Sequence, residues 1–482
     1  MNMNVSNDIN TFFNWFFLSY AIALYVSYII IGILSAIELS FYENKNKYFN
    51  YKSILGFKKL PTISIIAPAY NEEKTIVTNI RSLLSLYYPH IEVIIVNDGS
   101  RDNSMQVIIE NYELIKVDIA FENILKSAPV RGIYKSMNSA YSNLIVIDKE
   151  NGGKADALNA GINVSRSDLF LAIDVDCIIE QDAILRMVKP FLEEEGGKRV
   201  IASGGAVRIA NSCIIRDGVI LEVRYPENIW ARFQVLEYIR AFTLGRMAWS
   251  KANGLLIISG AFGLFDRGIV TAVGGYDTNT VGEDLELVVR MRRYMHEINE
   301  SNYKVAFIPD PLCWTEVPST LKILSRQRNR WARGAIDTIL KHRKIFLNPR
   351  YGFIGNISFP YWVLFEWLGP LVEFSGFIYF FIMTLLGKVD AEILLLVLLF
   401  VFSFSLAFSS FALSYESYLF NKYKGYKFLI QAIFVAMAEM IIYHPLNVLF
   451  SLSGNYDYFF KKNKKGWGVM TRTAFDSKNK KQ

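Results

Sequence analysis

Leu169-Phe170-Leu171-Ala172-Ile173-Asp174-Val175-Asp176 is the stretch whose reading decides the fold. Five apolar residues run without a charge and stop at an Asp-x-Asp, which reads as a strand buried on both faces that ends at a polar edge. Three similar runs lie upstream: Ile63-Ser64-Ile65-Ile66-Ala67, Glu92-Val93-Ile94-Ile95-Val96 and Leu144-Ile145-Val146-Ile147. Helical patterns over about 73–86, 102–115 and 154–164 separate them. This alternation predicts an α/β domain with a mostly parallel sheet. In such sheets ligands bind at the carboxyl ends of strands. Asp98 and Asp174 both stand at such ends, so they should meet at one site.

Five more patterns lie along the chain. Asp98 belongs to Asn97-Asp98-Gly99-Ser100, which suits a tight turn. The same carboxylate can accept from a nucleobase N–H, with Tyr70 of Ala69-Tyr70-Asn71-Glu72-Glu73 stacked on the ring and Glu72 in the same nucleotide-sugar-binding set. Asn151-Gly152-Gly153-Lys154 opens a helix without Walker spacing. It reads as an ordinary helix start or as an anion site, with free N–H groups and the Lys154 charge facing a diphosphate. Asp174 and Asp176 at i, i+2 can hold Mg²⁺ or Mn²⁺. Gly282-Glu283-Asp284 leads an Arg-rich helix, where acids suit the helix dipole; Asp284 can also act as a general base, with Glu283 beside it on the acceptor side. Gln327-Arg328-Asn329-Arg330-Trp331 precedes an apolar region. Its Trp and Arg suit a bilayer interface, or Trp331 stacks on a sugar while Arg330 meets phosphate and Gln327 a hydroxyl.

The 482 residues are 52% hydrophobic and 15% aromatic, high for a soluble enzyme, and the excess sits at the two ends. Residues 12–37 carry no charge over 26 positions, more than the roughly 20 that cross a bilayer. Further apolar stretches cover 359–386, 393–413 and 428–452; the first contains Glu366, Pro370 and Glu373, and the last Glu439, His444 and Pro445. Carboxylates at membrane depth face protein or a wet path. No Lys or Arg precedes Lys45, whereas Lys45, Lys47, Lys52, Lys58 and Lys59 follow the first stretch. The positive-inside rule then sets the amino terminus outside and the α/β domain in the cytosol. The net charge of +7 lies near membrane segments, so it fits anionic lipid rather than nucleic acid. Three scattered cysteines and four scattered histidines suggest no disulfide framework, zinc site or Ser-His triad.

In this order the motifs resemble those of the processive, inverting family 2 glycosyltransferases, which include synthases of cellulose, hyaluronan, chitin oligosaccharides and poly-β-1,6-N-acetylglucosamine. The resemblance covers about residues 60–475. It implies a GT-A-type domain using a UDP-sugar and a divalent metal, with Asp98 at the uridine, Lys154 at the diphosphate, and Asp174 and Asp176 as the D-x-D pair. Asp284 matches the base, although Gly282 stands where many members have Thr. Gln327, Arg330 and Trp331 match the acceptor motif of processive members. Trp467, Val469 and Arg472 resemble the cytosolic gating loop of cellulose synthase, with Met470 in place of its Thr.

The expected organisation is an anchor at 1–44, a cytosolic domain at 45–340, an interfacial helix at 341–358, a membrane region at 359–460 and a basic tail at 461–482. A cytosolic tail rich in lysine requires an even number of crossings after the domain. Either 428–452 is interfacial or re-entrant, or 359–386 breaks at Gly369-Pro370 into two passes. The function expected is a plasma-membrane enzyme that polymerises a β-linked polysaccharide and extrudes it, with accessory export proteins as candidate partners. A non-processive enzyme moving one sugar to a lipid-linked acceptor shares the first three motifs. A transporter or nucleotide sensor needs none of them for catalysis.

Overall fold

The computed structural model describes residues 2–193, 197–216, 218–389 and 391–461. Within these, the strands are β1 (Ile63–Ala69), β2 (Ile91–Asp98), β3 (Leu114–Val117), β4 (Val130–Ser136), β5 (Leu144–Lys149), β6 (Leu169–Ile173), β7 (Ile178–Ile179), β8 (Arg199–Ile209), β9 (Ile214–Arg216), β10 (Val219–Glu222), β11 (Phe262–Asp266) and β12 (Tyr303–Thr315). One sheet takes the order β3-β4-β5-β2-β1-β6-β11-β8-β12-β7. Its centre, β5-β2-β1-β6, is parallel. The β3 and β4 pairings on one flank, and β11 between β6 and β8 on the other, are antiparallel. Ile63, Ile65, Ile66, Val93 to Val96 and Phe170 to Ile173 are buried, each aliphatic side chain contributing about 1.5–3 kcal/mol. Strand order reverses about β1, with β2 on one side and β6 on the other, the arrangement that opens a ligand crevice.

The amino-terminal helix runs from Asn2 to Asn46, about 68 Å at 1.5 Å per residue, longer than the roughly 30 Å hydrocarbon core of a bilayer. Its last turns dock on the α/β domain. Leu39 is buried, Glu38 pairs with Lys251 at 2.9 Å, Lys45 pairs with Glu193 at 2.8 Å, and the Tyr42 hydroxyl donates to Asp310.

Among the described residues, three helices are long and apolar enough to cross a bilayer: Asn10–Asn46, Leu394–Leu419 and Tyr426–Phe460. A fourth candidate is the pair Ile354–Trp367 and Gly369–Leu385, bent by 43°. The bend falls at Gly369-Pro370, where proline removes a backbone donor, but an angle of 43° does not turn the chain back. The 428–452 stretch belongs to one continuous helix instead of a re-entrant loop, and that helix touches the α/β domain along its length. Phe428 packs on Tyr225, the Tyr443 hydroxyl donates to Glu237 at 2.7 Å, and Asn329 donates to Asp457 at 2.9 Å.

Residues 341–358, expected as one surface helix, are short turns at Arg343–Ile345 and Pro349–Tyr351 followed by a π-turn at Ile354–Ser358. Pro349 and the positive φ of Leu347 and Gly352 stop a longer helix, and Ile345, Tyr351 and Ile354 are buried in the domain core. The candidate gating residues Trp467, Val469 and Arg472 lie outside the described residues.

Candidate active site

Asp98 closes β2 with its carboxylate buried. Oδ1 accepts from Lys149 Nζ at 2.6 Å and from Gly152 N at 2.9 Å; Oδ2 accepts from Gly153 N at 2.8 Å and Asn151 Nδ2 at 3.2 Å. A carboxylate offers about four acceptor sites, so this one is saturated by the glycine loop. Asp98 therefore anchors the loop in this structure, and a base N–H would have to displace one of those donors. The same bonds use the Gly152 and Gly153 N–H groups, so the anion site that the glycine pair suggests has neither of them free. Gly99 (φ +66°) lies so close to the loop that a Cβ there would sit 2.7 Å from Asn151 N. Lys149, fully buried, also pairs with Asp156 at 2.7 Å. Its place at the end of a buried strand was the only sequence signal for it.

The loop after β1 is laced to the one after β2. Asn71 N donates to Ser100 Oγ at 3.0 Å and Glu72 N to Ser104 Oγ at 2.8 Å. Glu72 spends a carboxylate oxygen on Thr75 at 2.9 Å. Tyr70 is 44% exposed at the rim, so its ring is open to stacking.

The structure brings Lys154, Asp174, Glu283 and Asp284 together. Lys154 Nζ lies 2.5 Å from Asp174 Oδ1 and donates to the Gly260 carbonyl at 2.9 Å. Gly260 N in turn donates to Asp284 Oδ2 at 3.0 Å, while Leu285 N caps Oδ1 at 2.9 Å. Burial pulls the Lys154 ammonium down, but Asp174, Glu283 and Asp284 outweigh it and hold it above the usual lysine value. Burial, helped by Asp284, pushes Glu283 above the usual carboxylate range against the pull of Lys154 and Arg330. Asp174, Asp176 and Cys177 bring their donor atoms within 4.8 Å of one another. The two carboxylates are hard oxygen donors of the kind Mg²⁺ and Mn²⁺ take, so the residues fit such an ion. Cys177 was not expected there.

The helix Leu321–Lys341 carries Gln327, Arg330 and Trp331 beside the helix Glu283–Glu297. The two meet at Gly282 and Gly334, where a Cβ on Gly282 would lie 2.8 Å from Gly334 Cα. That contact explains why this chain has glycine where the resemblance leads one to expect threonine. Gln327 is buried with its Oε1 unbonded, and Trp331 is 40% exposed. Arg328, which the sequence reading left without a role, forms two bonds with Glu237 at 2.6 and 2.7 Å and stacks its guanidinium 4.3 Å from the Trp331 ring centroid.

Behind this cluster a cavity of about 1110 Å³ opens among the apolar helices. Its wall includes Leu255, Leu256 and Ile257, three residues short of Gly260, and also Glu366 and Glu373.

The sheet order, with acids at the strand ends, is that of a GT-A-like fold. The profile described as Glycosyltransferase like family 2 matches residues 61–334, and the chain belongs to that family of glycosyltransferases. It is 28% identical over 333 residues to the poly-beta-1,6-N-acetyl-D-glucosamine synthase of Staphylococcus aureus (strain COL), over 68% of this chain and 67% of that one. Among solved structures it is similar to a mannosyltransferase of Pyrobaculum calidifontis in complex with GDP-Man and Mn2+. The TM-score is 0.50 at 16% identity, over 90% of this chain and 99% of the other, a likeness of fold.

Proposed function

We propose that this chain is a membrane-embedded, processive, inverting glycosyltransferase that extends a β-linked polysaccharide from a UDP-sugar. The observation that carries the reading is continuity. The backbone that walls the cavity at Leu255 to Ile257 runs directly into Gly260, which holds Asp284. A chain elongated at Asp284 thus has a route away from it, past aromatic rings and the carboxylates of Glu366 and Glu373. The curated relative's name supports N-acetylglucosamine as the sugar.

In the reaction, Asp284 takes the proton from the acceptor hydroxyl, a role worth about 10²–10⁴-fold. The hydroxyl oxygen bonds to the anomeric carbon from the face opposite the diphosphate, whose C–O bond breaks with its electron pair, so an α-donor gives a β-linkage. Lys154, fixed by Asp174 and the Gly260 carbonyl, provides a preset positive charge for the departing diphosphate. Asp174 and Asp176 would hold a Mg²⁺ or Mn²⁺, which would supply further charge neutralisation when bound. Trp331 offers its open face to a sugar ring, and the unbonded Gln327 Oε1 accepts from a sugar hydroxyl. Arg330 adds positive charge beside Glu283. Tyr70 stacks on the base, with Glu72 and Asp98 in the loops that frame it.

The catalytic domain faces the cytosol, the amino terminus lies outside, and the tail, whose sequence carries the candidate gating residues, returns to the cytosol. The contacts of the helix Tyr426–Phe460 with the domain near both of its ends support that return, because a helix lying along the domain, the interfacial alternative, leaves two crossings after it. Purified full-length protein given UDP-N-acetylglucosamine and Mg²⁺ or Mn²⁺ should release UDP and make a product of many sugars, with chelator abolishing both. A product that stops at one sugar on a lipid would replace this reading with the single-transfer one.

A further inference from the structure

Charged side chains line the large cavity, and all but Arg246 and Glu366 are matched among the described residues. Arg240 pairs with Glu439, His444 lies 2.8 Å from Glu373, and Glu237 is bound by Arg328 and Tyr443. Arg246 is the exception among the cations: among the described residues it has no ion pair, and its Nη1 is buried without a hydrogen-bond partner. Its position is nonetheless fixed. The guanidinium carbon stacks 4.1 Å from the Phe242 ring centroid and 6.0 Å from that of Phe307.

Local backbone aims it there. Arg246 follows the π-turn Arg240–Gly245, an irregularity that re-aims side chains and recurs at functional sites. Burial pulls the guanidinium down to about 10, and the charge of Asp284 opposes that pull, so Arg246 is protonated at neutral pH and lies within electrostatic reach of the base. An unpaired buried cation is expensive to retain, and a guanidinium offers donors only. Its natural partner is an acceptor oxygen brought by whatever occupies the cavity.

The wall chemistry selects the occupant. Glu237, Glu366, Glu373 and Glu439 face two guanidiniums and one histidine, which disfavours an anion such as a lipid phosphate. Tyr20, Tyr28, Trp249 and Tyr361 present rings suited to sugar faces.

We propose that Arg246 is a positioning residue for the acceptor: Nη1 donates to a hydroxyl or amide carbonyl oxygen of the sugar behind the one being extended, and so holds the chain end against Asp284 at the cavity mouth. This rests on the polymerase reading above.

The test uses the full chain in nanodiscs, with Arg246→Gln, Arg246→Met and Arg246→Lys. Losing one charge-assisted hydrogen bond should raise the KM for a soluble acceptor oligosaccharide about tenfold or more and shorten the product, with UDP affinity and donor KM unchanged. Arg246→Lys should recover part of the loss. Where Arg246→Gln does not fold, Arg246→Met, which keeps an apolar contact over Phe242, decides in the same way. Wild-type acceptor KM and product length in the folded variants overturn the proposal, as does a loss confined to UDP affinity. A wild-type chain that makes no polymer instead overturns the polymerase reading itself.

Discussion

Gly282→Ala should remove most of the polymer-forming activity while sparing the hold on nucleotide. A Cβ at Gly282 lies 2.8 Å from Gly334 Cα and 3.1 Å from the Gly334 carbonyl carbon, whereas carbon atoms in contact keep about 3.5–4.0 Å. The φ of Gly282 is −127°, open to any residue, so the obstacle is steric and not conformational. Two helix backbones must part by the shortfall, about 0.7–1.2 Å. One helix carries Glu283 and Asp284, and the other carries Gln327, Arg330 and Trp331, so parting them moves the base relative to the acceptor site. A misplacement of about 1 Å costs about 10²-fold in rate, and the overpacking costs about 1–3 kcal/mol of stability. The assay is the rate of polymer formation by the purified variant, beside UDP binding measured by calorimetry. Folded Gly282→Ala protein that polymerises at the wild-type rate would refute the reasoning.

Two further predictions concern stability. Arg208 on β8 and Glu416 near the end of the helix Ala391–Leu419 pair at 2.5 Å with both side chains 1% exposed. Glu416→Gln strands a buried guanidinium and should cost about 3–5 kcal/mol, while the joint Arg208→Met, Glu416→Leu change should cost far less; urea unfolding of the three proteins checks this, and equal losses would contradict it. Burial raises Glu316 from 4.5 to about 7. The folded state then keeps a proton that the unfolded state has lost, so stability falls as pH rises between those values. Glu316→Gln should remove that slope in melting measurements across the window.

What the sequence made legible follows from how local each signal is. β1, β2, β5 and β6 are short apolar runs buried on both faces, and nothing in their surroundings competes with that reading. β8 contains Ser203-Gly204-Gly205 and β12 contains Pro309-Asp310-Pro311; both are strands because distant partners hold them, and the sequence alone punctuates them as loops. Lys154, Asp174, Glu283 and Asp284 were legible because strand and helix ends point into one crevice. The saturation of Asp98 was not, since it depends on where the Gly152 and Gly153 N–H groups turn. Arg246 escaped notice for the same reason: its lack of a partner is a property of the packed cavity. The 341–358 helix failed on Pro349 and Gly352, whose local signals the basic and aromatic composition had outweighed.

The central claim is that one carboxylate, Asp284, drives polymer growth from a separately assembled nucleotide site. The direct measurement compares wild type with Asp284→Asn, purified at full length and given labelled UDP-N-acetylglucosamine, by scoring polymer and UDP affinity together. Polymer should vanish from the variant while UDP affinity stays at the wild-type level. Continued polymer synthesis by Asp284→Asn would contradict the account.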